Sequence, residues 1–358
     1  MPVDESTVDS ISPDEVLQRV IAASHYQIAT PVIAVVDTSF LYTGLQAHLA
    51  REHPPRSLTL MRSNLVHAFM EGETLREMFR KIPEFAEQFH ISEDALADLF
   101  IREWLPSINI VDLPDELKDL DTRSLVVRQR DRNDYAAASL AALLSPCILL
   151  THDLDFDALG VKNRKQALIA ICLIEDVSDG DAAVKASLMI PGVPLIAVGV
   201  GAKHAYDRFG PVAIGVVGLI VAGGILLYFK QPPDRRNAIK SGTGNVFRAL
   251  AEMHGEAVAT AEQVRRELRQ HLVPPALEPP PFVSIFRTLA TTPTSLSAQQ
   301  LHVELETKYI FNVREVRAYL HGNKDCLFFE ERRGGFRLGL PYYRWSEMNG
   351  TWETSESN

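Results

Sequence analysis

The chain has 358 residues, of which 36 are Lys or Arg and 46 are Asp or Glu, so its formal net charge is −10. With 46% hydrophobic residues, this composition predicts a folded protein of more than one unit and argues against a polycation that coats nucleic acid over its whole surface. The three cysteines (Cys147, Cys172 and Cys326) lack metal-ligand spacing, which argues against a zinc site or disulfide scaffold and favours a reducing, cytoplasmic milieu. The first 30 residues are acidic and contain no apolar run, so we expect no signal or transit peptide.

Predicted strands and helices alternate up to about residue 161. Apolar runs at 31–37, 108–111 and 147–150 are typical of buried strands, and an alanine-rich helix is predicted at 133–144. Between them, 41–104 is predicted to be largely helical, with LVHAFMEGETLREMF at 65–79 as one continuous helix. Because strands that alternate with helices pair in parallel, we predict an α/β fold with a parallel sheet flanked by helices.

Three aspartates occupy the positions where such a sheet places its functional site. Asp37 ends the first strand, Asp153 follows the third, and Asp134 opens the alanine-rich helix. Carboxylates that converge repel one another and require a cation, and hard oxygen donors select Mg²⁺ or Mn²⁺. The alternative is structural: Asp134 as a helix cap, and Asp37 and Asp153 as turn residues.

Three stretches carry a family resemblance: VVDTSFLYTGL at 35–45, RDRNDYAAASLAALL at 130–144 and THDLDFDALGV at 151–161. Together they resemble a PIN domain, a metal-dependent nuclease fold, over residues 31–161. The resemblance implies four acidic residues that are catalytic and bind the metal: Asp37, Glu77, Asp134 and Asp153. It adds Asp155 as a further metal ligand and Asp131 as an auxiliary residue. Glu77 matches the family's glutamate best, and Glu71 and Glu73 remain alternatives to it.

Hydroxyl groups accompany these acids. Thr38 and Ser39 are candidates for orienting a ligand or phosphate, with helix capping as the alternative. Thr151 and His152 are candidates for substrate contact, with a solvated histidine as the alternative.

The resemblance implies an endoribonuclease that hydrolyses phosphodiester bonds. Metal ions held by carboxylates activate water and neutralise charge on the phosphate, so no covalent nucleophile is needed. RNA is the expected substrate, because most PIN domains that this chain resembles cleave RNA; single-stranded DNA is the alternative. The chain contains no Walker A loop, GxSxG elbow or HExxH pair.

A membrane region is predicted at 187–229. Gly210–Phe229 is a run of 20 uncharged residues, long enough to span a bilayer, and a basic flank follows at 230–240. Ser187–Ala202 is a shorter, proline-interrupted run that either forms the first arm of a hairpin or does not cross. Because a nuclease must face cytoplasmic substrate, we predict a hairpin with both flanking domains in the cytoplasm; a single span would separate them.

Residues 230–281 are predicted to form a helical linker with a proline-rich end, and 346–358 a disordered acidic tail. Between them, three short helices (282–289, 297–305 and 313–320) precede a hairpin (326–330 and 335–338). This order resembles a winged helix-turn-helix over 282–345. If the resemblance holds, the nucleic-acid contacts would come from five arginines: Arg314, Arg317, Arg332, Arg333 and Arg337. Nearby acidic residues make a protein-binding surface an equal alternative.

The sequence therefore predicts a membrane-anchored nuclease with a winged-helix regulatory or binding module. A rival of another class is a catalytically degenerate adaptor that binds nucleic acid or proteins at the membrane. A third hypothesis is a membrane-tethered transcription factor.

Overall fold

A computed structural model describes residues 31–51, 53–179, 255–256, 258–275, 282–292, 294–305, 312–331 and 334–349. The chain divides into two compact units, one of 30–175 and 266–358, the other of 1–29 and 176–265. Every side-chain contact below lies within the first unit.

A four-stranded parallel sheet forms the centre of this unit. Its strands are β1 (Val32–Val36), β2 (Val66–Glu71), β3 (Ile108–Val111) and β4 (Ile148–Leu150), in the order β3-β2-β1-β4. In the central register Ala34 pairs with Ala68 on one side and with Ile148 on the other. The strands are apolar because helices cover both faces of the sheet. The predicted α/β fold with a parallel sheet is confirmed.

The helices of the first part of the chain follow or precede these strands. They are α1 (Thr38–Leu49), α2 (Arg56–Arg62), α3 (Gly72–Phe89), α4 (Glu93–Leu99), α5 (Asp115–Lys118), α6 (Thr122–Arg130), α7 (Tyr135–Leu144) and α8 at 166–179. A π-helical turn at Phe100–Trp104 and short 3-10 segments at Leu105–Ser107 and Asp155–Leu159 complete the connections. The alanine-rich α7 is buried along its whole length, because small side chains let it lie close to the sheet.

The prediction of one continuous helix at 65–79 was wrong. Val66–Glu71 forms strand β2 between β1 and β3, and α3 begins only at Gly72, with Glu71 as its N-cap. The reason is tertiary: pairing on both sides satisfies the backbone of β2 and buries its apolar side chains, which outweighs the helical propensity of alanine and methionine there. Glycine at position 72 leaves room for Asp112, since a Cβ there would lie 2.4 Å from Asp112 Oδ1 and would force that side chain to move.

The predicted C-terminal elements are present. A helix α9 covers 258–269, followed by α10 (Val283–Thr291), α11 (Ala298–Leu305) and α12 (Val313–Gly322). Strands β5 (Phe328–Glu331) and β6 (Gly335–Leu338) form an antiparallel hairpin, and Leu296, between α10 and α11, pairs with Phe336 of β6. The helix α13 (Tyr342–Asn349) ends the described chain, so 346–349 are helical, contrary to the prediction of a tail that is disordered from 346; buried Trp345 anchors them.

The C-terminal segment covers both edges of the sheet. At the β3 edge, the backbone N–H of Ile110 donates to the carbonyl of Leu340 (2.8 Å) and the N–H of Leu340 donates back to Ile110 (2.6 Å). At the β4 side, Val273 N–H donates to the carbonyl of Cys147 (2.7 Å). Gly339 permits the first contact, because its φ is +76° and a Cβ would lie 2.8 Å from Asn109 Cβ. The cluster of buried residues accordingly runs from the sheet into α10–α12 and the hairpin.

Some predicted features lie outside the described residues: the N-terminal segment 1–30, the membrane runs 187–202 and 210–229, Arg332, Arg333 and the tail 350–358. Within the parts of the chain that are described, no helix combines the length and apolarity needed to cross a bilayer.

Candidate metal centre

The predicted acidic residues meet at the end of the sheet that is formed by the carboxyl ends of the four parallel strands. Asp37 follows β1, and the segment from Thr151 to Asp153 follows the neighbouring β4. The N–H of Asp37 donates to the carbonyl of Leu150 (3.1 Å), which fixes the two strand ends side by side. This is the position that parallel α/β sheets use for ligands.

Asp37 is a fixed carboxylate at the floor of this site. It is only 3% exposed, and its Oδ2 accepts hydrogen bonds from Ser39 Oγ (2.6 Å), Thr151 Oγ1 (2.9 Å) and Ser39 N–H (3.2 Å). It is also the N-cap of α1. Burial raises its pKa above the ordinary value, although these hydrogen bonds act in the opposite direction.

Asp134 differs from its neighbours because it has no structural partner. It precedes α7 at the N-cap position, yet its side chain makes no capping hydrogen bond, and its buried Oδ2 has no hydrogen-bond partner. Burial, followed by the charges of Asp37, Asp131, Asp153 and Glu77, raises the pKa of Asp134 to about 8. The expectation that it merely caps a helix therefore fails, and its charge interacts with the other four acids.

Asp131, Asp153 and Asp155 lie on the two loops beside Asp134. Asp131 accepts the N–H of Asn133 (2.7 Å) and Asp153 accepts the N–H of Asp155 (3.0 Å), so both stabilise local turns. Carboxylate oxygens of Asp131, Asp134 and Asp155 lie within 4.8 Å of one another. Among the described residues, this is the group of acids with spacing suitable for a metal ion, and it combines two predicted ligands, Asp134 and Asp155, with the predicted auxiliary Asp131.

Glu77 belongs to the same site, whereas Glu71 and Glu73 are drawn away from it. Glu77 Oε2 accepts from Thr38 Oγ1 (3.1 Å), and its Oε1 forms an ion pair with Lys81 Nζ (2.6 Å). Glu71 and Glu73 each lie 3.4 Å from Lys118 Nζ. Burial raises the pKa of Glu71 to about 7 although Lys118 lowers it.

The hydroxyl groups position the acids. Ser39 and Thr151 hold Asp37, and Thr38 holds Glu77. His152 Nδ1 donates to the carbonyl of Arg164 (2.7 Å), and its N–H donates to Ser39 Oγ (3.0 Å), so this residue connects the site to the loop before α8. His152 Nε2 is buried without a hydrogen-bond partner.

The donor set suits a hard divalent cation. All candidate ligands are carboxylate oxygens, which Mg²⁺ and Mn²⁺ prefer. Asp134 supplies a buried oxygen that no described residue satisfies. A buried carboxylate of this kind is costly unless a cation or proton compensates it.

Of the predicted arginines of the C-terminal segment, the three that the structure describes are exposed. Arg314 and Arg317 lie on the exposed face of α12, and neither forms an ion pair within the described residues. Arg337 pairs with Glu331 (3.2 Å).

Sequence reasoning missed two features of the site. The first is strand β2, which positions α3 so that Glu77 contacts Thr38, the residue after Asp37. The signal in the sequence was the largely apolar run VHAFME at 66–71, which is followed directly by Gly72. The second is Lys81, one helical turn after Glu77, a spacing at which opposite charges pair.

Comparison of the chain with protein-family models, with curated proteins and with solved structures finds no match. The functional argument therefore depends on the geometry of the site.

Proposed function

We propose that this protein is a Mg²⁺- or Mn²⁺-dependent nuclease that hydrolyses phosphodiester bonds, with RNA as its substrate. The observation that carries the proposal is Asp134, a buried carboxyl without a partner that faces the charges of four other acids at the carboxyl edge of a parallel sheet. The PIN-like arrangement is supported by the strand order β3-β2-β1-β4 and by Asp37, Glu77, Asp134 and Asp153 lying at one site.

Asp131, Asp134 and Asp155 would hold the cation, with Asp37, Asp153 and Glu77 as further acids of the same site. When bound, the metal supplies an activated water and neutralises charge on the phosphate. Ser39 and Thr151 orient Asp37, and their hydrogen bonds favour its charged form and so oppose the effect of burial on its pKa. Thr38 and Lys81 hold the two oxygens of the buried Glu77 carboxylate in place.

The C-terminal elements support the proposal of a winged-helix module. Leu296 pairs with β6, and β6 pairs with β5, so a short strand between the first two helices joins the hairpin. Arg314 and Arg317 on α12 are exposed and form no ion pair with any described residue, which favours binding to nucleic acid by this module. We further propose that 187–229 anchors the protein in a membrane with both modules in the cytoplasm.

A second candidate function is a non-catalytic adaptor. The observation in its favour is that both oxygens of Glu77 are engaged by Thr38 and Lys81. An adaptor would bind nucleic acid or protein through the same surfaces without hydrolysing a phosphodiester.

Cleavage of labelled RNA and single-stranded DNA by the full chain in detergent, with Mg²⁺, Mn²⁺ or EDTA, separates the two. We expect metal-dependent cleavage that Asp134→Asn abolishes and that Asp98→Asn, an exposed surface control, leaves intact. Binding without cleavage at any metal concentration would favour the adaptor.

A further inference from the structure

The loop before α8 carries a cluster of cations, residues 162–165 (Lys162, Asn163, Arg164, Lys165), here named the basic loop. All four residues are exposed, and within the described residues the three cationic side chains form no ion pair. Most other described cations are paired, and the nearest preceding acid, Asp157, is itself paired with Arg130. In a chain with a net charge of −10, this local charge of +3 is uncompensated.

The basic loop is tied directly to the acidic site. The carbonyl of Arg164 accepts from His152 Nδ1 (2.7 Å), the N–H of His152 donates to Ser39 Oγ (3.0 Å), and Ser39 Oγ donates to Asp37 Oδ2 (2.6 Å). Three hydrogen bonds thus connect the loop to the carboxylate at the floor of the site. The loop cannot move far from the acids without breaking these three hydrogen bonds.

The backbone of the basic loop is held in one shape. Gln166 bridges it, because its Oε1 accepts the N–H of Lys162 (2.8 Å) and its Nε2 donates to the carbonyl of Gly160 (3.2 Å). Asn163 Oδ1 accepts the N–H of Lys165 (3.0 Å). These bonds occupy backbone groups and leave the three cationic side chains free of them.

We propose that the basic loop is the surface along which the phosphate backbone of single-stranded RNA is held beside the acidic site. The inference deepens the proposed nuclease function and rests on it. An acidic cluster repels a polyanion, so an adjacent unpaired cationic surface is needed to hold the phosphates that flank the scissile bond. The contacts are to phosphates, and binding is therefore expected to be sequence-independent.

The test compares three forms of the full chain in detergent: wild type, the neutral loop variant Lys162→Gln/Arg164→Gln/Lys165→Gln, and a matched control. The control is Arg51→Gln/Arg56→Gln/Arg102→Gln, which removes the same charge from exposed residues on segments that lead into the amino ends of β2 and β3, at the opposite edge of the sheet. Binding of fluorescein-labelled oligouridine is measured by anisotropy in EDTA, where no cleavage occurs, over a range of salt concentrations.

We expect the loop variant to bind the RNA roughly 10-fold or more weakly at low salt, and the slope of log affinity against log salt to fall by about 2, since each phosphate contact on a single strand contributes about 0.7. The control should bind like wild type. With Mn²⁺ present, the loop variant should show a raised KM with kcat within about 2-fold of wild type.

The outcomes separate this proposal from the nuclease function. RNA binding that depends on the loop, with no cleavage by wild type, would remove the nuclease function while leaving the loop as an RNA surface. Equal binding and KM in the loop variant and wild type would overturn the loop proposal while cleavage stands. If the loop variant binds RNA like wild type but no longer adsorbs to phosphatidylserine vesicles, the RNA proposal is overturned and the basic loop is assigned to a membrane surface.

Discussion

Three aspartates of the site have a structural task in addition to any chemical one, whereas the side chain of Asp134 has none among the described residues. Asp37 caps α1, and Asp131 and Asp153 stabilise turns, so any of them would be retained in a protein without activity. Asp134 does none of this, and its burial beside like charges costs stability. Proteins accept such a cost at functional sites.

This cost predicts an unusual effect of Asp134→Asn on stability. The pKa of Asp134 is about 8 in the folded state, above its ordinary value of 3.8. Between these two values the native state binds more protons than the unfolded state, so the free energy of unfolding falls as the pH rises and the loss is complete above pH 8. In EDTA at pH 8.5, Asp134→Asn should therefore raise the free energy of unfolding by about 1–3 kcal/mol, with less gain at pH 5. Urea unfolding at both pH values measures this. A variant less stable than wild type at pH 8.5 would show that Asp134 has a structural partner.

Lys81 predicts a change in metal affinity. Its ammonium group pairs with Glu77. Burial lowers the pKa of Lys81, but the hydrogen bond and charge of Glu77 and the charge of Asp37 raise it above its ordinary value. Lys81→Gln removes a cation that competes with a metal ion for the site, so the affinity for Mn²⁺ should rise roughly 2- to 5-fold, as expected for a partly exposed pair. Equilibrium titration with Mn²⁺ checks this against Arg102→Gln, and a weaker affinity would mean that Lys81 supports the site instead.

At the scale of the elements, the sequence predicted three of the four strands and the helix α7, since each is a short apolar or alanine-rich run. Strand β2 could not be predicted from periodicity, because its run at 66–71 merges with an amphipathic helix and only pairing with β1 and β3 decides its state. Asp37, Asp134 and Asp153 were predicted because the apolar strands and the alanine-rich helix beside them are visible in the sequence. Asp131 was predicted only as an auxiliary, because its place beside Asp134 and Asp155 depends on how the loops pack; the pairing of Lys81 likewise depends on how α3 packs, which no local pattern records.

Because Glu77 and Glu71 have different surroundings, substituting each of them should have a different effect on cleavage and on stability. Glu77→Gln should abolish cleavage with only a modest change in melting temperature, because glutamine keeps a side-chain oxygen that can accept from Thr38 and the other partner, Lys81, is partly exposed. Glu71→Gln should lower the free energy of unfolding by about 2 kcal/mol, because it weakens a buried pair with Lys118, while cleavage per folded molecule persists. Thermal unfolding and initial rates on the same preparations measure both. Loss of cleavage in Glu71→Gln at full stability would reverse the assignment.

At the scale of the whole molecule, the sheet and the C-terminal elements form one compact unit although a long segment of chain separates them. Leu340 and Val273 cover the edges of the sheet, and α10–α12 share its buried cluster. Exposed sheet edges promote association between chains, so the C-terminal part protects the sheet.

This arrangement predicts that the C-terminal part and the sheet unfold together. Phe336→Ala, in β6, should destabilise by about 3–4 kcal/mol and lower the melting temperature of the sheet in a single transition. Far-ultraviolet circular dichroism and tryptophan fluorescence, to which Trp104 in the sheet portion and Trp345 in α13 both contribute, should report the same midpoint. Two separate midpoints would show that the parts are independent.

The most direct test of the central claim is calorimetric titration of the full chain with Mn²⁺ near pH 7 in buffers of different ionisation enthalpy. The account predicts saturable binding that releases up to one proton per ion, because the pKa of Asp134 is about 8 and its carboxyl must lose its proton to bind a metal. Asp134→Asn should lose the proton release and most of the affinity, and Asp98→Asn should match wild type. Absence of saturable binding to wild type, or unchanged binding and proton release in Asp134→Asn, would contradict the account.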